Sequence, residues 1–169
     1  MTIVVHDAGI LIDLLECNLE EEWCSLDFRL LTTSFVWREI NRKHEKTRLR
    51  TFVDKKLLAI EAVSAEALGE IVWLQAQTLG AISLEDASVL FLSMEHGAIL
   101  LSGDGLLRRH AESRGVEVHG ILWMLETLID HGSIDPPTAA DRLEALLERG
   151  VSRLPREECK RLLTKWRKA

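Results

Sequence analysis

The chain has 169 residues, of which 47% are hydrophobic and 28% charged. That balance suits one globular domain with a substantial core and excludes a disordered chain. Charges interrupt every apolar run short of the ~18 residues of a membrane span, and a formal net charge of −6 argues against a broad, nonspecific nucleic-acid binder.

The opening Met1-Thr2-Ile3-Val4-Val5-His6-Asp7 lacks the basic region and cleavage site of a signal peptide, so the expected location is the cytoplasm. Ile3 to Val5 is a short β-branched run that reads as a buried strand ending at Asp7. Ile10, Leu11, Leu14 and Leu15 then follow helical spacing. Residues 18–30 read as short helix and loop, and Leu30 to Thr32 as a second strand. Thr33 or Ser34 caps a helix carrying Phe35, Val36, Trp37, Glu39 and Ile40, expected to run into the charged stretch near residue 46. Leu57 to Val63 suits a strand. Ser64 caps a helix from Ala65 to Leu79, ended by Gly80.

Ser83 starts the next helix, with Glu85 and Asp86 at its positive end and Gly97 as its stop. Ala98 to Leu101 is a strand, Gly105 to Arg114 a helix, Val116 to Val118 a strand, and Gly120 to His131 a helix. Gly132-Ser133-Ile134-Asp135-Pro136-Pro137 breaks the pattern. Two helices follow, about 138–149 and 156–168, each with an apolar stripe. They read as a hairpin packed on the core or on a partner. Strands alternating with helices predict an α/β/α fold with a mostly parallel sheet.

Cys17, Cys24 and Cys159 are odd in number, form no CxxC pair and match no zinc spacing, so they read as reduced packing residues. The negative charge is unevenly spread. Arg42 to Arg50 is locally basic, and so is the tail from Val151, with Arg153, Arg156, Lys160, Arg161, Lys165, Arg167 and Lys168.

Chemistry concentrates in four acids. Asp7 follows the first strand, Asp104 follows Leu101-Ser102-Gly103, Asp86 opens a helix, and Glu39 lies on the helix after the second strand. In parallel sheets ligands bind beyond the carboxyl ends of the strands. If the sheet gathers these acids, they form an all-oxygen pocket for Mg²⁺ or Mn²⁺. Each acid alone has an ordinary reading. Asp7 and Asp104 cap helices, Asp86 complements a helix dipole, and Glu39 is a surface residue. Glu85 competes with Asp86, but helix neighbours point about 100° apart, and Asp86 shares the side of Leu90 and Ser93. Asp13 is a further candidate. His6 points away from Asp7, and His110 and His119 read as core, surface or substrate-contact residues. Ser102 is placed to hydrogen-bond a ligand carboxylate. No nucleophile elbow or phosphate-binding loop is present.

In order, Asp7-Ala8-Gly9-Ile10-Leu11-Ile12, Glu39, Glu85-Asp86-Ala87 and Ser102-Gly103-Asp104-Gly105-Leu106-Leu107-Arg108 resemble the successive motifs of PIN-domain proteins. Leu100 to Leu125 is the most specific part, and Gly150 to Pro155 resembles a C-terminal extension of some prokaryotic members. The resemblance implies a three-layer α/β/α PIN-like domain over 1–132 and a C-terminal helical extension over 133–169. It also implies ribonuclease activity dependent on Mg²⁺ or Mn²⁺, with Asp7, Glu39, Asp86 and Asp104 as the metal-binding acids and Ser102 behind them. Many members are VapC-type toxins, dimeric and silenced by a small antitoxin, so an antitoxin partner and a homodimer are expected. Two positions depart from the family pattern. Ser102 stands for a common threonine, and Gly9 for a common serine. Arg108, Arg109, Arg42 and Lys43 are the nucleic-acid candidates. The competing expectations are a PIN-like module that binds RNA or protein without cutting, and a metal-dependent phosphatase-like enzyme.

Overall fold

The computed structural model describes residues 1–150 and 153–169. Val151 and Ser152, within the stretch that resembles the C-terminal extension, lie outside the described residues.

The first strand, β1 (Thr2–His6), buries Val4, Val5 and His6. Asp7 then turns the chain into α1 (Ala8–Glu16), its Oδ1 accepting from the Ile10 amide at 2.7 Å. A short α2 (Glu20–Cys24) resolves the ambiguous segment and seats Trp23 in the core. The second strand, β2 (Phe28–Thr33), ends on Thr33, whose hydroxyl caps α3 (Ser34–Glu39) and bonds the Ser88 hydroxyl at 2.7 Å.

The expected continuation of this helix toward residue 46 does not occur. Ile40 leaves helical geometry with ψ 97°, buries its side chain to 1% exposure, and a separate α4 (Lys43–Asp54) begins three residues later. Burial of one isoleucine outweighs helix propensity here, because propensity differences are only a few tenths of a kcal/mol per residue.

Strand β3 (Leu58–Glu61) follows, then α5 (Ala65–Gln77), capped by Ser64. Helix α6 (Leu84–His96) opens with a reciprocal capping box between Ser83 and Asp86, and Gly97 ends it at φ 59°. Strand β4 (Ile99–Leu101), α7 (Gly105–Glu112), β5 (Val118–His119) and α8 (Ile121–Asp130) come next. The last two helices are α9 (Pro136–Glu148) and α10 (Arg156–Lys168).

The strands form one parallel sheet in the order β3-β2-β1-β4-β5. Strands β2 and β3 are added on one side of β1 and strands β4 and β5 on the other, so the crevice beyond the carboxyl ends of β1 and β4 is a topological switch point. Register pairs His6 with Leu101, and the Asp7 amide donates to the Leu101 carbonyl at 3.1 Å. Asp7 and the Ser102–Asp104 turn therefore leave the sheet side by side.

The apolar stripes of the C-terminal hairpin are spent within the chain. Leu143 and Leu146 of α9 and Cys159, Leu162 and Trp166 of α10 are all buried in the common core. An interface built from those stripes has lost its physical basis. Among the described residues no helix is long and apolar enough to cross a membrane. Cys17, Cys24 and Cys159 are free and buried, and burial pushes the first two thiols up to about 12.

Candidate functional site

Asp7, Glu39, Asp86 and Asp104 line one open cavity of about 1000 Å³, at the upper end of the ~300–1,000 Å³ common for ligand sites. Each arrives on a different element. Asp7 sits between β1 and α1, Glu39 at the end of α3, Asp86 in the first turn of α6, and Asp104 between β4 and α7. Asp7 is buried at 6% exposure, Asp86 is half-buried, and Glu39 and Asp104 stand exposed at the rim.

The ordinary reading of the three aspartates also holds. Asp7 Oδ1 takes the Ile10 amide, Asp104 Oδ1 the Leu107 amide at 2.8 Å, and Asp86 Oδ2 the Ser83 amide at 3.2 Å. Each carboxylate starts a helix and lines the cavity at once. Capping occupies one oxygen, and ligation of a cation through the other would leave the cap intact.

The acids act on one another. Burial pushes the Asp7 carboxyl up to about 7, and the charges of Asp86 and Asp13 add to that rise. Hydrogen bonds from the Ser102 hydroxyl and the Ile10 amide oppose it. Asp86 is raised by desolvation and by Asp104 and Glu85, against its bonds to Ser83. Glu39 is raised by desolvation and by Glu85 and Asp86. Asp86 is thus the common neighbour of the other three.

Ser102, fully buried, ties two of them together. Its hydroxyl bonds the Asp7 carboxylate, while its oxygen accepts the Asp104 amide at 3.0 Å. At Gly9 an added Cβ would stand 3.6 Å from Asp7 Oδ1, so a side chain there has room and would reach the carboxylate.

A family model described as DUF3368, a PIN domain, matches residues 3–168. The chain belongs to the PIN-domain family. In three dimensions this PIN domain resembles PAE2754 from Pyrobaculum aerophilum, at 14% identity and a TM-score of 0.54 over 76% of this chain and 98% of that one. It also resembles VapBC-1 from nontypeable Haemophilus influenzae, at 12% identity and a TM-score of 0.51 over 70% of this chain and 98% of that one. At such identities the shared property is the fold. No curated protein matches the sequence.

The donor set of this PIN domain is all oxygen, which suits a hard divalent cation rather than zinc or copper. Three of the four acids are held above their ordinary values, first by burial and then by one another's charge, and a bound cation would favour their charged forms. Among the described residues, no three acidic, histidine or cysteine side chains are posed closely enough to enclose an ion.

Other expectations divide. Arg108 lines the acid cavity, its Nη1 donating to the Ser102 carbonyl at 3.2 Å. Arg42 lines an adjoining cavity of about 230 Å³, 3.6 Å from Glu45. Lys43 and Arg109 line neither cavity. Asp13 lines both, Glu85 neither. His6 faces the core, with Nδ1 on the Leu31 carbonyl and Nε2 accepting from Trp23 Nε1, and burial lowers it to about 4. His119, Trp123 and Arg153 also line the acid cavity. The sequence left His119 open as a core, surface or substrate-contact residue, and nothing in the spacing singled out Trp123.

Proposed function

We propose that this chain is a divalent-metal-dependent endoribonuclease of the PIN type, hydrolysing RNA phosphodiester bonds with Asp7, Glu39, Asp86 and Asp104 as the cation-holding acids. The observation that carries the reading is the meeting of these four acids, from four separate elements, at the switch point of a parallel sheet. Mg²⁺ or Mn²⁺ bound among them would supply Lewis-acid stabilisation of the charge that develops on the phosphate.

The chain's own groups do the rest. The Ser102 hydroxyl fixes the Asp7 carboxylate, and the same oxygen fixes the Asp104 turn. Arg108, held by the Ser102 carbonyl, offers its remaining N–H groups to a phosphate oxygen. Caps on α1, α6 and α7 anchor the aspartates to rigid helices, so their positions are set before substrate arrives. In the cell we assign it the role of toxin in a toxin–antitoxin pair, acting as a homodimer and restrained by a small antitoxin. The VapBC-1 fold resemblance and the family's habits support that role.

One observation favours a second reading, a PIN-like module that binds RNA or protein without cutting: the posed acids do not enclose an ion among the described residues. One experiment separates the two. Purified protein is incubated with single-stranded RNA in Mn²⁺, in Mg²⁺ and in chelator. Cleavage that needs the metal and disappears in Asp104→Asn supports the nuclease. RNA bound but intact in both metals supports the binding module.

A further inference from the structure

Besides the acids, the same cavity is lined by an aromatic pair that the cation site does not use. His119 ends β5, one strand beyond the Asp104 turn, and its carbonyl takes the Ser102 amide at 2.9 Å. Its imidazole lies flat on the Trp123 indole, centroids 4.5 Å apart and planes 8° from parallel. Nε2 is held on Glu117 Oε1 at 2.7 Å, which fixes the ring's rotation. Trp123 is braced edge-on by Trp23, itself fully buried and bonded to His6. The stack is therefore rooted in the core, yet the His119 side chain keeps 29% of its surface exposed and both rings line the acid cavity.

Arg108 stands beside this pair. Its guanidinium packs against Gly120, where an added Cβ would come within 3.0 Å of Nη1. A flat, rigid ring next to a fixed guanidinium, facing a site for phosphate chemistry, matches the needs of one nucleotide. A base stacks on the ring while the phosphate meets the cation.

We propose that His119, supported by Trp123, is the stacking platform for one unpaired base of the RNA strand, with Arg108 holding the adjoining phosphate. This deepens the nuclease reading and rests on it for the identity of the strand. It makes the enzyme selective for single-stranded RNA, because a base inside a duplex has both faces covered.

The test is binding in chelator, by fluorescence anisotropy of a labelled RNA oligonucleotide, so that it does not depend on cleavage. His119→Ala should weaken single-strand binding about tenfold, and His119→Phe should restore it, since the stack survives without the imidazole. On the unaltered protein, an oligonucleotide with abasic positions should bind about tenfold more weakly than its parent. A duplex of the same sequence should be indifferent to the His119→Ala change. Equal affinity of His119→Ala and the parent for single strands, no rescue by phenylalanine, no abasic effect, or the same loss on duplex would each overturn the proposal. Failure of the nuclease reading looks different: the stacking pattern holds while RNA in Mn²⁺ stays whole.

Discussion

Asp7 combines a helix cap, a buried carboxyl and a place in an acid cluster, and these demands conflict at neutral pH. Its folded carboxyl titrates at about 7 against an ordinary 3.8. Its contribution to stability is therefore complete below the lower value and lost as pH rises through the higher one. His6 next to it works the other way. Lowered from 6.5 to about 4, it contributes fully above 6.5 and loses that contribution as pH falls through about 4. Between those two values the residues cancel. Glu39 and Asp86, both raised, tilt the balance the same way as Asp7. Metal-free protein should thus melt at a lower temperature near pH 8 than near pH 5.5. Asp7→Asn keeps a good capping oxygen and removes the buried charge, so it should stabilise the chelated protein near pH 8 by on the order of 2–4 kcal/mol while abolishing RNA cleavage. Thermal melts across pH, paired with a cleavage assay, read both. A higher melting temperature at the alkaline end would show that burial and neighbouring charge do not hold these carboxyls above their ordinary values. Gly9 offers a gentler probe. Gly9→Ser fits the space and adds a donor near Asp7 Oδ1, so it should lower the Asp7 pKa, as followed by carbon-detected NMR titration of the carboxyl.

Among the elements, those with a local chemical marker were legible from sequence. Ser64, Ser83 and Gly97 announced α5 and α6, and a side-chain oxygen or a left-handed glycine sits there as the marker requires. The strand starts and ends that deliver Asp7 and Asp104 were equally plain, since short apolar runs stop at a polar residue. The break after Glu39 was not legible, because it depends on what Ile40 finds to pack against in three dimensions. The same holds for Trp123, an ordinary helix-face residue by spacing, whose meeting with His119 exists only once β5 and α8 fold together. Glu39 reaches the cavity because α3 is pinned at its other end. Thr33 both caps the helix and bonds Ser88 of α6. Thr33→Ala should cost about 1–2 kcal/mol in urea unfolding, and loosen Glu39 enough to weaken Mn²⁺ binding measured by calorimetry. Unchanged metal affinity with reduced stability would mean that Glu39 is placed by something else.

For the molecule as a whole, the C-terminal hairpin is structural rather than an appendage. Trp166 is 2% exposed in the common core, and Arg153, Leu154, Pro155 and Glu158 form part of the cavity wall. Trp166→Ala should cost about 3–5 kcal/mol by equilibrium unfolding, as expected for a large buried aromatic. A loss below about 1 kcal/mol would mean that the last helix merely leans on the rest.

The Ser102 bridge carries a consequence for biosynthesis. One hydroxyl oxygen couples a carboxylate near the start of the chain to an amide from its second half, across strands that pair only when both are present. A nascent fragment that has not yet emitted β4 carries three of the four acids and lacks the bridge that ties Asp7 to the Asp104 turn. The four-acid cavity is therefore complete only once the chain has passed Asp104 and β4 has closed against β1.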